Sequence, residues 1–110
     1  MHIIRLGTGC TGRNIELNTN YRKGRRLEYK TMRVLERAGY ETLRTAGSHG
    51  LFDVVAFSSV NVRCVQVKGN NYVSALEREK LELLRLPDNC TKEIWRWPDR
   101  AREPIIEVVN

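Results

Sequence analysis

Residues 51–57 read Leu-Phe-Asp-Val-Val-Ala-Phe. A short run so rich in β-branched and aromatic residues is a strand. It is apolar at odd and even positions alike, so both of its faces need cover. A strand of that kind belongs in the interior of a sheet that carries helices. No other stretch limits the possible folds as much. Asp53 alone breaks the run, and a carboxylate there is costly unless it is paired or bound to a metal. A second strand, Val62-Arg63-Cys64-Val65-Gln66-Val67-Lys68, follows a turn region at 58–61. Its polar residues Gln66 and Lys68 are two apart and share a face, because strand side chains alternate.

The rest of the chain supplies the helices and further strands. Residues 22–38 place Leu27, Thr31, Val34, Leu35 and Ala38 on one face of a helix, with Gly39 as a stop. Glu28 sits at the edge of that apolar stripe, and the opposite face is mostly basic. Residues 40–45 read as a strand and 46–50 as a small-residue loop. Ser74-Ala75-Leu76-Glu77 is a capping-box pattern opening a helix to about Leu86, which Pro87 ends. Residues 92–97 and 104–109 read as two last strands. The order of helix, three strands, helix and two strands predicts an α/β fold: a mixed central sheet of about five strands flanked by helices.

With 110 residues the chain has room for one small domain, expected at 21–110. Residues 1–20 read as an N-terminal extension, or a short strand plus loop. Gly7, Gly9 and Gly12 there fit G-x-G-x-x-G, but too little helix follows, and the chain is too short for a doubly wound sheet. No nucleotide cofactor is therefore expected. No apolar run reaches the ~20 residues of a membrane span, and no signal peptide is legible. The expected compartment is the cytoplasm. Three widely spaced cysteines form neither a disulfide framework nor a zinc site, and Cys64 reads as a small buried hydrophobe. The net charge of +6 favours polyanionic partners.

If Phe57 pairs with Val62, or Ser58 with Asn61, Asp53 falls opposite Gln66 and Leu51 opposite Lys68. Asp53, Gln66 and Lys68 then cluster on one face. An odd loop would separate them. Two readings stay open: an Asp53–Lys68 salt bridge closing one end of the core, or a metal site.

Glu28, then Asp53, then Gln66-Val67-Lys68 resembles the PD-(D/E)XK nuclease superfamily, and within it the archaeal-type Holliday junction resolvases and small phage-encoded relatives. Gly24-Arg25-Arg26-Leu27-Glu28 resembles their helix with its metal-site glutamate. Arg44-Thr45-Ala46-Gly47-Ser48-His49-Gly50 resembles the loop before the aspartate, and Phe52-Asp53-Val54-Val55-Ala56 the aspartate strand. Gln66-Val67-Lys68 stands where the superfamily has E-x-K. The resemblance covers residues 21–86 and implies a restriction-endonuclease-like core. It implies a Mg²⁺-dependent endodeoxyribonuclease, with Mn²⁺ able to substitute, that resolves four-way junctions in DNA recombination and repair. A virus- or phage-encoded protein would do so in the host cytoplasm.

Under that resemblance Asp53, Glu28, the Gln66 amide oxygen and the Val67 carbonyl are the metal ligands. Lys68 polarises the attacking water, and Ser48 acts near the scissile phosphate. Arg22, Lys23, Arg25, Arg26, Arg44 and His49 are candidate DNA contacts. Blander readings stand beside these: Ser48 as a turn residue, His49 as a solvated loop histidine, Arg44 as an exposed strand residue, and the basic run as a solvated face. Gln in place of Glu removes one negative charge and excludes residue 66 as a general base. It leaves open a module that binds DNA without cutting. Trp95 and Trp97 are expected to pack in the core or at an interface on an edge strand. Two symmetric incisions imply a homodimer.

Overall fold

The computed structural model describes residues 19–45, 50–69 and 73–109. Its elements are α1 (Thr19–Arg37), β1 (Glu41–Arg44), β2 (Val54–Phe57), β3 (Val62–Lys68), α2 (Ala75–Leu83), β4 (Cys90–Arg96) and β5 (Ile105–Val109). The strands form one sheet in the order β1-β2-β3-β4-β5. β1, β2 and β3 pair antiparallel, β3 and β4 parallel, and β4 and β5 antiparallel. A parallel pair needs a crossover, and α2 provides it.

α1 forms because Leu27, Thr31 and Leu35 recur at helical spacing and are all buried. Thr31 is tolerated inside because its hydroxyl donates to the Leu27 carbonyl at 2.8 Å. The same hydroxyl oxygen accepts from Trp97 Nε1 at 2.9 Å. Gly39 ends the helix with φ of 98°, a left-handed conformation that other residues resist. α1 begins at Thr19, earlier than expected. α2 opens on the expected capping box at Ser74 and Glu77. It stops at Leu83, and Leu84 is already extended, short of the residues that Pro87 disfavours as helix.

One face of the sheet packs Val54, Ala56, Val65 and Trp95 against Leu27 and Leu35 of α1, with Trp97 in the same cluster. The other face carries Ile94 and Val109, covered by Leu81 of α2, with Leu51, Phe52 and Val73 against them. Trp95 and Trp97 are 1% and 2% exposed, so they belong to the core. β4 lies between β3 and β5. Of the two expected placements, core or edge-strand interface, the core is the one found: the edges of the sheet are β1 and β5. Buried Glu93 on β4 is held by Arg63 through two bonds of 2.8 Å, and also by Thr91 and Trp95. Cys64 is buried and not in a disulfide. Among the described residues, no helix is long and apolar enough to cross a membrane.

Candidate metal and phosphate site

The β2–β3 turn sets the register. The Ser58 N–H donates to the Asn61 carbonyl at 2.9 Å, and Phe57 pairs with Val62 as expected. The ladder runs to Val54 opposite Val65 and then slips. The Asp53 N–H donates to the Val65 carbonyl at 2.8 Å, one residue short of an in-register partner. The Asp53 carboxylate takes up the slack: its Oδ2 accepts the Val67 N–H at 2.8 Å. β2 is thus shorter than residues 51–57. Leu51 does not pair with Lys68; it packs beside Val73 against Leu81 and Ile94. The slip turns a ladder position into a carboxylate seat at the end of the sheet.

Glu28 reaches this end from α1. Its Oε1 accepts from Arg44 at 3.0 Å. Arg44 is only 2% exposed, and its guanidinium lies 5.0 Å from the Tyr29 ring centre. The reading of Arg44 as an exposed strand residue is therefore corrected. It shares the α1-facing side of the sheet with Val54, its partner across the ladder. Burial raises the Glu28 carboxyl above its ordinary range, and the nearby Asp53 charge adds to this against the pull of Arg44. Burial likewise raises Asp53, outweighing the Val67 N–H and the Lys68 charge. Two adjacent carboxylates are thus held where ionisation is disfavoured, and a cation between them would relieve both.

Gln66 and Lys68 do share a face, and what joins them is a residue the sequence showed only as a helix cap. Gln66 Nε2 donates to Glu77 Oε2 at 3.2 Å, and Lys68 Nζ donates to the same oxygen at 3.0 Å. Lys68 therefore pairs with Glu77, and the Asp53–Lys68 bridge, one of the two readings left open, is not among the ion pairs of the described residues. The hydrogen bond from Lys68 holds Glu77 below the usual carboxylate range. Gln66 is 6% exposed, and its Oε1 is buried with no hydrogen-bond partner.

That orphaned oxygen bears on whether a metal fits. A buried amide oxygen without a donor carries an unrepaid desolvation cost. Asp53, Glu28, the Gln66 oxygen and the Val67 carbonyl are all hard oxygen donors. Among the described residues, no group of three or more His, Cys, Asp or Glu side chains is placed to hold a metal ion by itself. Mg²⁺ takes oxygen ligands, often only one or two of them carboxylates, and keeps several waters. Two carboxylates with an amide and a carbonyl oxygen are donors of that chemical kind.

The expected DNA contacts separate on the structure. Arg22 and Arg26 are exposed one turn apart on α1. Lys23 bridges to Asp99 at 3.2 Å. Arg25 lies close enough to Glu28 to favour its ionised form. Arg26 continues into Lys30, Arg33 and Arg37, which line a groove with Trp97 and Arg100. That stripe belongs to the mostly basic face read from the sequence, and a spacing of three and four residues sets it along one side of the helix. Ser48 and His49 lie outside the described residues.

A scan against protein-family models finds no match, and a search of curated proteins finds none. Solved structures do match. One is the 1.6 Å structure of Hjc, a Holliday junction resolvase from the archaeal hyperthermophile Archaeoglobus fulgidus. The two chains superpose with a TM-score of 0.60 at 24% identity, over 79% of this chain and 71% of that one. The fold is restriction-endonuclease-like. Within that fold, the end of the sheet described above carries Asp53, Gln66 and Lys68, with Glu28 near Asp53 on one side and Glu77 bonded to Gln66 and Lys68 on the other.

Proposed function

We propose that the protein is a Mg²⁺-dependent endodeoxyribonuclease of the PD-(D/E)XK superfamily that cuts branched DNA, four-way junctions foremost, as a homodimer. The observation that carries this is the buried, unpartnered Gln66 Oε1 on the same strand face as Lys68 and beside the raised carboxyl of Asp53. A hydrogen-bond donor or a cation would satisfy that oxygen, and the raised carboxyls of Asp53 and Glu28 at the same end of the sheet favour the cation in this reading. The +6 charge and the exposed Arg22 and Arg26 suit a phosphate backbone, and such contacts position DNA without reading its sequence.

Asp53, Glu28, Gln66 through its oxygen and the Val67 carbonyl would hold the ion. Bound there, a divalent cation neutralises charge developing on the phosphate and lowers the pKa of a water molecule. The chain's own groups do the rest. Lys68, its ammonium anchored at 3.0 Å from Glu77, sits at the end of β3, where it can donate to a phosphate oxygen and hold the attacking water in line. Gln66 cannot accept a proton, so proton removal falls to solvent or the phosphate. Arg44 fixes Glu28 from behind and limits its ordering cost.

The test is cleavage of end-labelled four-way junctions by the intact chain with Mg²⁺ or Mn²⁺, against linear duplex of the same sequence. Paired incisions in the junction that are lost in Asp53→Asn support the reading. Cleavage that survives Asp53→Asn overturns the site. Salt-sensitive junction binding with no incision under either ion overturns the activity in favour of a DNA-binding module.

A further inference from the structure

Glu77 uses its two carboxylate oxygens for two different tasks. Oε1 accepts from the Ser74 N–H and the Ser74 hydroxyl, both at 3.2 Å, and so completes the cap of α2. Oε2 accepts from Gln66 Nε2 at 3.2 Å and Lys68 Nζ at 3.0 Å, both on β3. Capping accounts for the first oxygen only. A capping box works equally well with Gln at this position, so it does not call for a charge.

The charge matters for Gln66. An amide has a donor end and an acceptor end. Glu77 can only accept, so the nitrogen of Gln66 must face it. A flipped amide would set two acceptors against each other. With the nitrogen committed, Oε1 is left as the end that stays buried and without a donor. Glu77 therefore decides which end of Gln66 is presented to a ligand. A glutamate at 66 could not donate to Glu77 and would crowd a further carboxylate beside Asp53. Gln at 66 and Glu at 77 are complementary. The negative charge that an E-x-K strand would carry sits one residue-pair away, on the crossover helix.

We infer that Glu77 is a positioning residue of the metal site, which locks the Gln66 amide with its oxygen toward a divalent cation, anchors Lys68 and supplies the charge that residue 66 lacks. This rests on the metal-dependent reading above, and the test separates the two. The probe is Mn²⁺ alone, without DNA, with free ion read by electron paramagnetic resonance. The second readout is the Gln66 side-chain amide signal in the metal-free protein by ¹H–¹⁵N NMR, assigned by its loss in Gln66→Met. Glu77→Gln keeps the cap and removes the charge, so the variant folds. It is expected to bind Mn²⁺ about 10- to 100-fold more weakly, the cost of losing a group that orients a ligand. It also moves the Gln66 amide protons upfield, because their acceptor is no longer charged. The exchange variant Gln66→Glu/Glu77→Gln restores one carboxylate and one amide. It recovers about tenfold of the loss, as contacting residues couple. If Glu77→Gln binds Mn²⁺ like the wild type, or leaves the Gln66 signal in place, the inference fails alone. If the wild type binds no Mn²⁺, the nuclease reading fails and takes this inference with it.

Discussion

Asp53→Asn separates the stability of the site from its use. The Asp53 carboxyl has a folded-state pKa raised mainly by burial, with Val67, Lys68 and Arg44 pulling the other way. The native protein therefore holds that proton more tightly than the unfolded chain does. Between the ordinary carboxylate range and the raised folded value, the folded state binds more protons, so stability falls as pH rises. Above the raised value the full cost of ionised Asp53 remains in the metal-free protein. The Asp53→Asn change removes that cost and the repulsion with Glu28. The new amide oxygen can still accept the Val67 N–H, which Asp53 holds at 2.8 Å. The exchange from charged to neutral acceptor gives back about 1 kcal/mol of bond strength. The net gain is on the order of 1 kcal/mol at neutral pH, the usual size when a functional-site charge is removed. For a chain of this length that is about 4 °C in Tm. Addition of Mg²⁺ at ten times its Kd should stabilise the wild type by about 1.4 kcal/mol. The Asp53→Asn variant should show no such shift. The assay is thermal unfolding by circular dichroism at neutral and mildly acid pH, with chelator and with MgCl₂. The metal-free gain of the variant should vanish once both carboxyls are protonated. A metal-free Asp53→Asn protein less stable than the wild type at neutral pH would refute the reasoning. Asp53 would then be a structural ion-pair partner.

Two further outcomes follow from particular contacts. Arg63→Met leaves Glu93 buried with only the Thr91 and Trp95 donors. It should cost about 3 kcal/mol by urea denaturation, as stranded buried charges do. Glu93 has a lowered pKa in the native protein, so the pair contributes above the ordinary carboxylate range and is lost as pH falls; the penalty should shrink in acid. A loss well under about 1 kcal/mol at neutral pH would contradict the bidentate geometry. Neutralising Arg22 and Arg26 together should flatten the log–log salt dependence of DNA binding by about 1.8, with little change in sequence preference. An unchanged slope would move the DNA path away from the start of α1.

Much of the architecture could be read from local pattern. β3 spans the expected residues 62–68, and an even turn length set the Phe57–Val62 register. Those features depend on near neighbours and on the period of a strand. Asp53 slipping out of register was not legible, because a side chain replaced a backbone acceptor for the Val67 N–H. Arg44 read as exposed because its cover, Glu28, lies sixteen residues away on another element. Glu77 was hidden differently. The capping box already explained it, so nothing in the pattern asked for a second partner. The useful signal was Gln66 itself: an amide where a carboxylate was expected implies an acceptor close by.

α2 buries only Leu81 fully. Otherwise charge and polar contacts fasten it: Arg78 to Glu107, Lys92 to the carbonyls of Leu81 and Leu84, and Lys68 to Glu77. A segment with so little apolar burial opens at a lower free energy than the sheet beneath it. Gln66, Lys68 and Asp53 belong to the durable part of the molecule, while Glu77 travels with the segment that lifts. The site therefore has two lifetimes. Asp53, Gln66 and Lys68 persist as long as the sheet does. The correct orientation of its amide persists only while the crossover helix is down.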